Sequence, residues 1–213
     1  MVKLGSNHKI HGIYAITDPD LISEHDLIAK VQAAIDGGIS VLQYRNKKAT
    51  PLQQEQQAQL LRHICQQHQV TFIINDNVEL ALKIKADGVH LGKKDGSIKK
   101  ARERLGQQAI IGISCYNEIG RAIEAQEAGA DYIAFGRFFS SKTKPEAVQA
   151  NTNLIKQAKV KLEIPIVAIG GINLTNIKQL TDLSVDATAI IHDIFSQKDI
   201  ESHCHKLKNF FNF

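Results

Sequence analysis

Eight short runs rich in β-branched residues, at positions 13–17, 41–45, 71–75, 88–92, 110–115, 132–136, 164–170 and 187–192, recur along the chain. Between and after them lie eight longer helix-like stretches, at 23–36, 50–68, 78–83, 97–105, 118–128, 152–160, 173–181 and 199–211. Nothing constrains the fold more than this alternation. Strands separated by helices pair in parallel, because a parallel neighbour needs a crossover that a helix supplies. Eight such units in 213 residues predict an α/β protein, a single-domain (β/α)8 TIM barrel, for which about 200 residues is the lower bound. The domain spans 1–213, with 1–11 as a short N-terminal arm. An open doubly wound sheet is the alternative. It needs G-x-G-x-x-G after its first strand, where this chain has Asp18-Pro19-Asp20.

Local punctuation agrees with these elements. Thr50-Pro51-Leu52-Gln53 reads as a capping box with proline at the first helical position. Asp36-Gly37-Gly38 and Ala128-Gly129 place glycine where helices end on a left-handed residue. Cys65, Cys115 and Cys204 are an odd, widely spaced set, which fits a reducing compartment better than a disulfide framework. The first eleven residues lack the apolar core of a signal peptide, and the longest apolar stretch, 164–172, is too short to span a bilayer. A cytoplasmic protein is expected.

The charge balance of 26 basic against 22 acidic residues, a net +4, suits small phosphorylated anions as partners. With no Trp, 6% aromatic residues and no run of like charge, neither a nucleic acid nor a membrane is expected as a partner. There is also no G-x-S-x-G, H-E-x-x-H or G-x-x-x-x-G-K-[ST] motif.

A barrel places its chemistry at the carboxyl ends of its strands. In this chain those ends are polar. Gln43, Arg45 and Lys47 share one parity at the end of the second run, and Asn75-Asp76 closes the third. Asp95 follows the fourth, Ser114 lies at the end of the fifth, and Ser141-Lys142-Thr143-Lys144 follows the sixth. Gly170-Gly171 ends the seventh run just before a predicted helix, an arrangement that brings backbone N–H groups close to an anion. Asp76 and Asp95 fit two roles, helix N-caps or ligands of Mg²⁺ shared with substrate phosphates. Arg45, Lys47 and Lys144 are expected to contact a diphosphate. The hydroxyls and cations of 141–144 fit either a plain polar loop or a phosphate cradle. His90 reads as a hydrogen-bonded interior or rim residue, and His192 as either a phosphate donor or a packing residue. His203 and His205, two apart on a helix, point in different directions and do not read as a metal pair.

These positions resemble the thiamine phosphate synthase family. The likeness runs from Tyr14-Ala15-Ile16-Thr17-Asp18 through Gln43-Tyr44-Arg45-Asn46-Lys47, Ile74-Asn75-Asp76 and Asp87-Gly88-Val89-His90-Leu91-Gly92. It continues through Gly112-Ile113-Ser114, Ala130-Asp131-Tyr132, Thr143-Lys144-Pro145 and Ala168-Ile169-Gly170-Gly171-Ile172. The resemblance implies a transferase that joins 4-amino-2-methyl-5-hydroxymethylpyrimidine diphosphate to a hydroxyethyl-methylthiazole phosphate, or its carboxylated form, and releases diphosphate. It implies that Gln43, Tyr44, Arg45, Asn46, Lys47, Asn75, Ser114 and Lys144 hold the pyrimidine diphosphate, with Arg45, Lys47, Ser114 and Lys144 catalytic. Ser141, Lys142, Thr143, Gly171, Ile191 and His192 would hold the thiazole phosphate, and Asp76 and Asp95 one Mg²⁺.

The chain departs from the usual family pattern at Lys93 (Gln in many members), at His192 (Ser), and at Arg137 and Ser140 (prolines). Related thiazole tautomerases carry a catalytic His where Tyr116 stands here, which argues against an isomerase. A non-catalytic phosphate-binding protein is the other alternative, and a homodimer is compatible with the sequence. Residues 138–150 are expected to close over the site.

Overall fold

The computed structural model describes residues 9–93, 95–140 and 149–211. Its strands are β1 Gly12–Ile16, β2 Val41–Tyr44, β3 Thr71–Asn75, β4 Gly88–Leu91, β5 Ile110–Tyr116, β6 Tyr132–Phe135, β7 Ile166–Ile169 and β8 Ala187–Ile190. All pair in parallel and in sequence order, and β8 pairs with β1 to close a barrel. Around it run α1 Leu27–Asp36, α2 Pro51–Gln67, α3 Val78–Lys83, α4 Ile98–Leu105, α5 Ile119–Glu127, α6 Asn153–Lys161, α7 Lys178–Thr181, α8 His192–Phe195 and α9 Ile200–Lys208. The predicted (β/α)8 barrel is the observed fold.

Period-two alternation divides the apolar residues into two cores. One side of each strand faces the helices, as Leu42, Phe72, Ile74, Val89, Ile111 and Ile133 do. The other side fills the barrel: Ile10 plugs the floor beneath Tyr14, Val41, Ile73, Ile110, Tyr132, Val167 and Ala187.

Three aspartates at the foot of the barrel set the strand register. Asp87, Asp131 and Asp186 each precede an even-numbered strand and clamp the strand before it by two bonds. Their backbone N–H groups donate to the carbonyls of Phe72, Ile111 and Ile166, at 3.0, 2.8 and 3.0 Å. Their carboxylates accept from the N–H groups of the same residues, each at 2.8 Å. Each carboxylate also meets a base: Arg62 at 3.6 Å, Arg102, and Lys159 at 2.9 Å. At the first position of the pattern Ser40 makes only the backbone bond, to Ile13 at 2.9 Å.

Several predicted boundaries shift for local reasons. The capping box at Thr50 forms as read, and Gly38 and Gly129 adopt φ +90° and +91°. Pro165 has no N–H for the ladder, and β7 starts after it. The helix expected over 173–181 is regular only at α7. Before it the chain winds tightly through i→i+3 bonds, the N–H groups of Asn176 and Gln179 donating to the carbonyls of Asn173 and Asn176 at 3.2 and 3.0 Å, while the Asn173 side chain caps the Thr175 N–H at 2.9 Å. The run expected to reach His192 stops at Ile190, and His192 opens α8 instead. Cys65, Cys115 and Cys204 are buried and unpaired, and burial pushes each thiol up to about 12.

Asp131→Ala removes the acceptor of the Ile111 N–H and leaves the Arg102 guanidinium, only 12% exposed, without its carboxylate. It is expected to cost about 3 kcal/mol. In thermal melts this should lower the midpoint by roughly 6–12 °C for a chain of this size.

Candidate active site

The strand ends surround a cavity of about 280 Å³ at the carboxyl mouth of the barrel. One wall carries Gln43 of β2, Arg45 just beyond it, Asn75 of β3, His90 of β4 and Ser114 of β5. The facing wall is the Gly170-Gly171 turn after β7 with Ile191 and His192 after β8. Between them lie Ile16, Ala134, Val167, Ile169 and Ala189, so two polar walls are separated by an apolar strip.

Tethers between loops hold this rim. Thr17 ties the ends of β1 and β2: its hydroxyl accepts from the Arg45 N–H at 2.8 Å and donates to the Arg45 carbonyl at 3.1 Å. Arg45 also approaches the Asp18 carboxylate at 3.9 Å. Lys47 pairs with Asp76 at 3.0 Å on the rim. Asp95 accepts from the Gly92 N–H at 2.9 Å. Neither aspartate is a helix cap, because Asn77 caps α3 and Ser97 caps α4. Of the two roles open to them in the sequence, capping is thereby excluded.

Gly170 and Gly171 have φ +105° and +66°, and the space beside them is taken. A Cβ on Gly171 would lie 2.2 Å from the Ser140 carbonyl oxygen, and one on Gly170 2.2 Å from the Arg137 Cβ. The chain after β6 is seated on this turn, with the N–H groups of Phe138 and Phe139 donating to Ile169 and Gly170 at 3.2 and 3.0 Å.

Two members of the expected pyrimidine-diphosphate set face elsewhere. Tyr44 lies on the helix side of β2 and donates to Gln57 of α2 at 2.7 Å, and burial raises its phenol well above the usual range. Asn46 donates to the same Gln57 oxygen at 3.1 Å and accepts from the Lys48 and Ala49 N–H groups, bracing the loop. Ser141, Lys142, Thr143 and Lys144 lie outside the described residues, as does most of the segment expected to close. His203 Nε2 donates to the Asp193 carboxylate at 2.7 Å, while Cys204 between it and His205 is buried. Among the described residues no group of three or more His, Cys, Asp or Glu is placed to hold a metal.

His90 is the hydrogen-bonded interior residue expected, but the sequence reading missed its two tyrosine neighbours at the floor of the cavity. Tyr14 and Tyr132 meet there, hydroxyl to hydroxyl, at 2.8 Å. His90 joins them, its Nδ1 2.9 Å from the Tyr132 hydroxyl and its Nε2 2.9 Å from the Ser114 hydroxyl. Inward parity was the available signal, since Tyr14 lies two residues before Ile16 and Tyr132 two before Ala134.

Fold and site together define a (β/α)8 barrel with a mouth suited to phosphorylated small molecules. Comparison with known proteins makes this specific. Residues 13–194 match the family model for thiamine monophosphate synthase. The chain is 47% identical over 195 residues to the thiamine-phosphate synthase of Alcanivorax borkumensis, covering 92% of this chain and 90% of that one. It is 48% identical over 193 residues to that of Nitrosococcus oceani, covering 91% and 89%. The solved thiamine phosphate pyrophosphorylase of Pyrococcus furiosus superposes with a TM-score of 0.86 at 31% identity, over 95% of this chain and 96% of that one. The chain belongs to the thiamine monophosphate synthase family.

Gly171→Ala forces a side chain into a left-handed conformation and against Ser140. It is expected to cost about 1–3 kcal/mol in thermal melts. It should also weaken inorganic phosphate binding, read by calorimetry.

Proposed function

We infer that this chain is a transferase that condenses 4-amino-2-methyl-5-hydroxymethylpyrimidine diphosphate with 4-methyl-5-(2-hydroxyethyl)thiazole phosphate, giving thiamine monophosphate and diphosphate. The observation that carries the reading is a two-walled mouth in a chain of this family. One wall offers Gln43, Arg45, Asn75 and Ser114 to a pyrimidine diphosphate; the other offers Gly171, Ile191 and His192 to a phosphate.

The chemistry needs no protein nucleophile. The bond from the pyrimidine methylene carbon to diphosphate oxygen breaks first, and its electron pair leaves with the diphosphate. The electron-rich aminopyrimidine stabilises the carbocation. The thiazole nitrogen then gives its lone pair to that carbon, forming the C–N bond. This chain's residues supply charge neutralisation through Arg45, Lys47 and Lys144, a hydroxyl donor in Ser114, and alignment of two substrates across a narrow mouth. The apolar strip of Ile16, Val167 and Ile169 limits water near the cation.

As cofactor we propose one Mg²⁺. Asp76 and Asp95 fit it in donor chemistry: both are hard oxygen ligands on adjacent loops of the rim, and Asp76 already holds a cation, the Lys47 ammonium. Bound there, Mg²⁺ neutralises charge on the departing diphosphate. The proposed partners are the two small-molecule substrates and neither nucleic acid nor membrane. No helix among the described residues is long and apolar enough to cross a membrane. Three buried, unpaired cysteines support a cytoplasmic location.

Purified protein with both substrates and Mg²⁺ should form thiamine monophosphate, measured by chromatography; absence of product at high enzyme concentration overturns the reading. Asp76→Asn and Lys144→Ala are expected to lower turnover by about 10²–10³ with the melting temperature nearly unchanged. A large loss of stability would instead mark these residues as structural.

His192→Ser is expected to raise the KM for thiazole phosphate a few-fold, with turnover held. An unchanged KM removes His192 from phosphate binding.

A further inference from the structure

Five side chains form one unbroken hydrogen-bonded chain across the barrel interior. Gln43 Nε2 donates to the Tyr14 hydroxyl at 2.7 Å, and Tyr14 meets Tyr132 at 2.8 Å. Tyr132 meets His90 Nδ1 at 2.9 Å, and His90 Nε2 meets Ser114 at 2.9 Å. The two ends, Gln43 and Ser114, are residues placed above on the pyrimidine-diphosphate wall. The three middle members have no part in that assignment.

We propose that Tyr14, Tyr132 and His90 are positioning residues that hold the Ser114 hydroxyl as a hydrogen-bond donor toward the leaving diphosphate. The inference rests on the reaction proposed above and adds the device that gives Ser114 its polarity.

Counting protons gives the direction. The Gln43 amide donates to the Tyr14 oxygen, which leaves the Tyr14 proton to be placed elsewhere. The Tyr14 proton then has its next partner in Tyr132, and the Tyr132 proton in His90 Nδ1. Burial raises both phenols well above the usual tyrosine range, so each keeps its one proton. With Nδ1 accepting, a neutral imidazole carries its proton on Nε2 and donates to Ser114. Four links use four protons, and the proton of Ser114 itself remains for the cavity that this side chain lines. An anionic phosphate oxygen is the acceptor such a proton suits. The reversed chain would put the imidazole proton on Nδ1 and turn Ser114 away from any anion.

The packing is built for this path. A Cβ on Gly112 would lie 1.9 Å from the Tyr132 ring carbon that bears the hydroxyl, so the glycine gives the ring its place over β5. The ring then reaches from β6 past β5 to His90 on β4, with ring centroids 5.5 Å apart. Tyr14 and Tyr132 are each buried to 1% exposure or less. Two buried phenols in a barrel interior otherwise filled by aliphatic side chains are costly unless each bond is made.

Two measurements test the proposal. Nitrogen-15 NMR of the imidazole should show His90 as the neutral Nε2–H tautomer; the Nδ1–H tautomer overturns it. This reading does not depend on which reaction the enzyme performs. In a double-mutant cycle on the full chain, Tyr132→Phe should lower kcat about tenfold, with the KM for thiazole phosphate unchanged. In a Ser114→Ala background the same change should alter kcat less than about twofold, because its effect passes through Ser114. Equal effects in both backgrounds, or none in either, overturn the proposal. Should Tyr132→Phe fail to fold, Tyr14→Phe serves in the same cycle. If unmutated protein forms no thiamine monophosphate, the reaction reading fails, while the tautomer still reports on the chain.

Discussion

The reciprocal clamp that Asp87, Asp131 and Asp186 make on the strands before them underlies the rest of the molecule. Side chains alternate across a strand, so a slip of one residue would exchange the barrel face for the helix face along its whole length. At β5 such a slip would move Gly112 and Ser114 outward and bring Ile111 and Ile113 into the mouth. At β3 it would replace Asn75 by Ile74. Each clamp combines a backbone bond, a carboxylate bond and a basic partner at the foot of the barrel. The mouth above can therefore carry loops and charges without having to maintain the register itself.

Register also decides how the interior is divided. Aliphatic side chains fill the floor above Ile10, the two tyrosines occupy the middle, and the small residues Ala134 and Ala189 leave room at the top. Glycines at strand ends serve separate purposes. Gly112 makes room for an aromatic ring, whereas Gly170 and Gly171 take left-handed turns under the chain that follows β6. The strand ends are thus supported by a buried, apolar floor and by hydrogen-bonded rim loops. A dissociative displacement has such a need, since its cation must meet the thiazole nitrogen before it meets water.

Much of this was legible from spacing alone. The alternation of β-branched and amphipathic segments is a local signal, and so are Thr50-Pro51, Gly38 and Gly129, because each depends on residues within a few positions of it. The parity of Gln43, Arg45 and Lys47 was equally readable, although Lys47 is held at the rim by Asp76 and Arg45 lines the mouth. Less legible were the inward tyrosines. Tyr14 and Tyr132 are 118 positions apart and look like core aromatics until barrel closure places their hydroxyls together. The short helix at His192 was hidden because four residues carry no usable period. The regular helix after Asn173 is shorter than its spacing suggests because the first turn closes largely through i→i+3 bonds, as from Asn176 to Asn173 and from Gln179 to Asn176.

By itself the sequence determined the eight units, their parallel pairing, the family and the polar character of the strand ends, all of which follow from periodicity and short motifs. Tertiary structure decided which polar residues share a space. It turned Tyr44 and Asn46 toward α2, withdrew Asp76 and Asp95 from capping, and joined Gln43 to Ser114 through three side chains of three other strands. The physical reason is closure. Hydrogen bonds between side chains reach about 3 Å, and only the register and curvature of a completed barrel bring residues so distant in sequence within that reach.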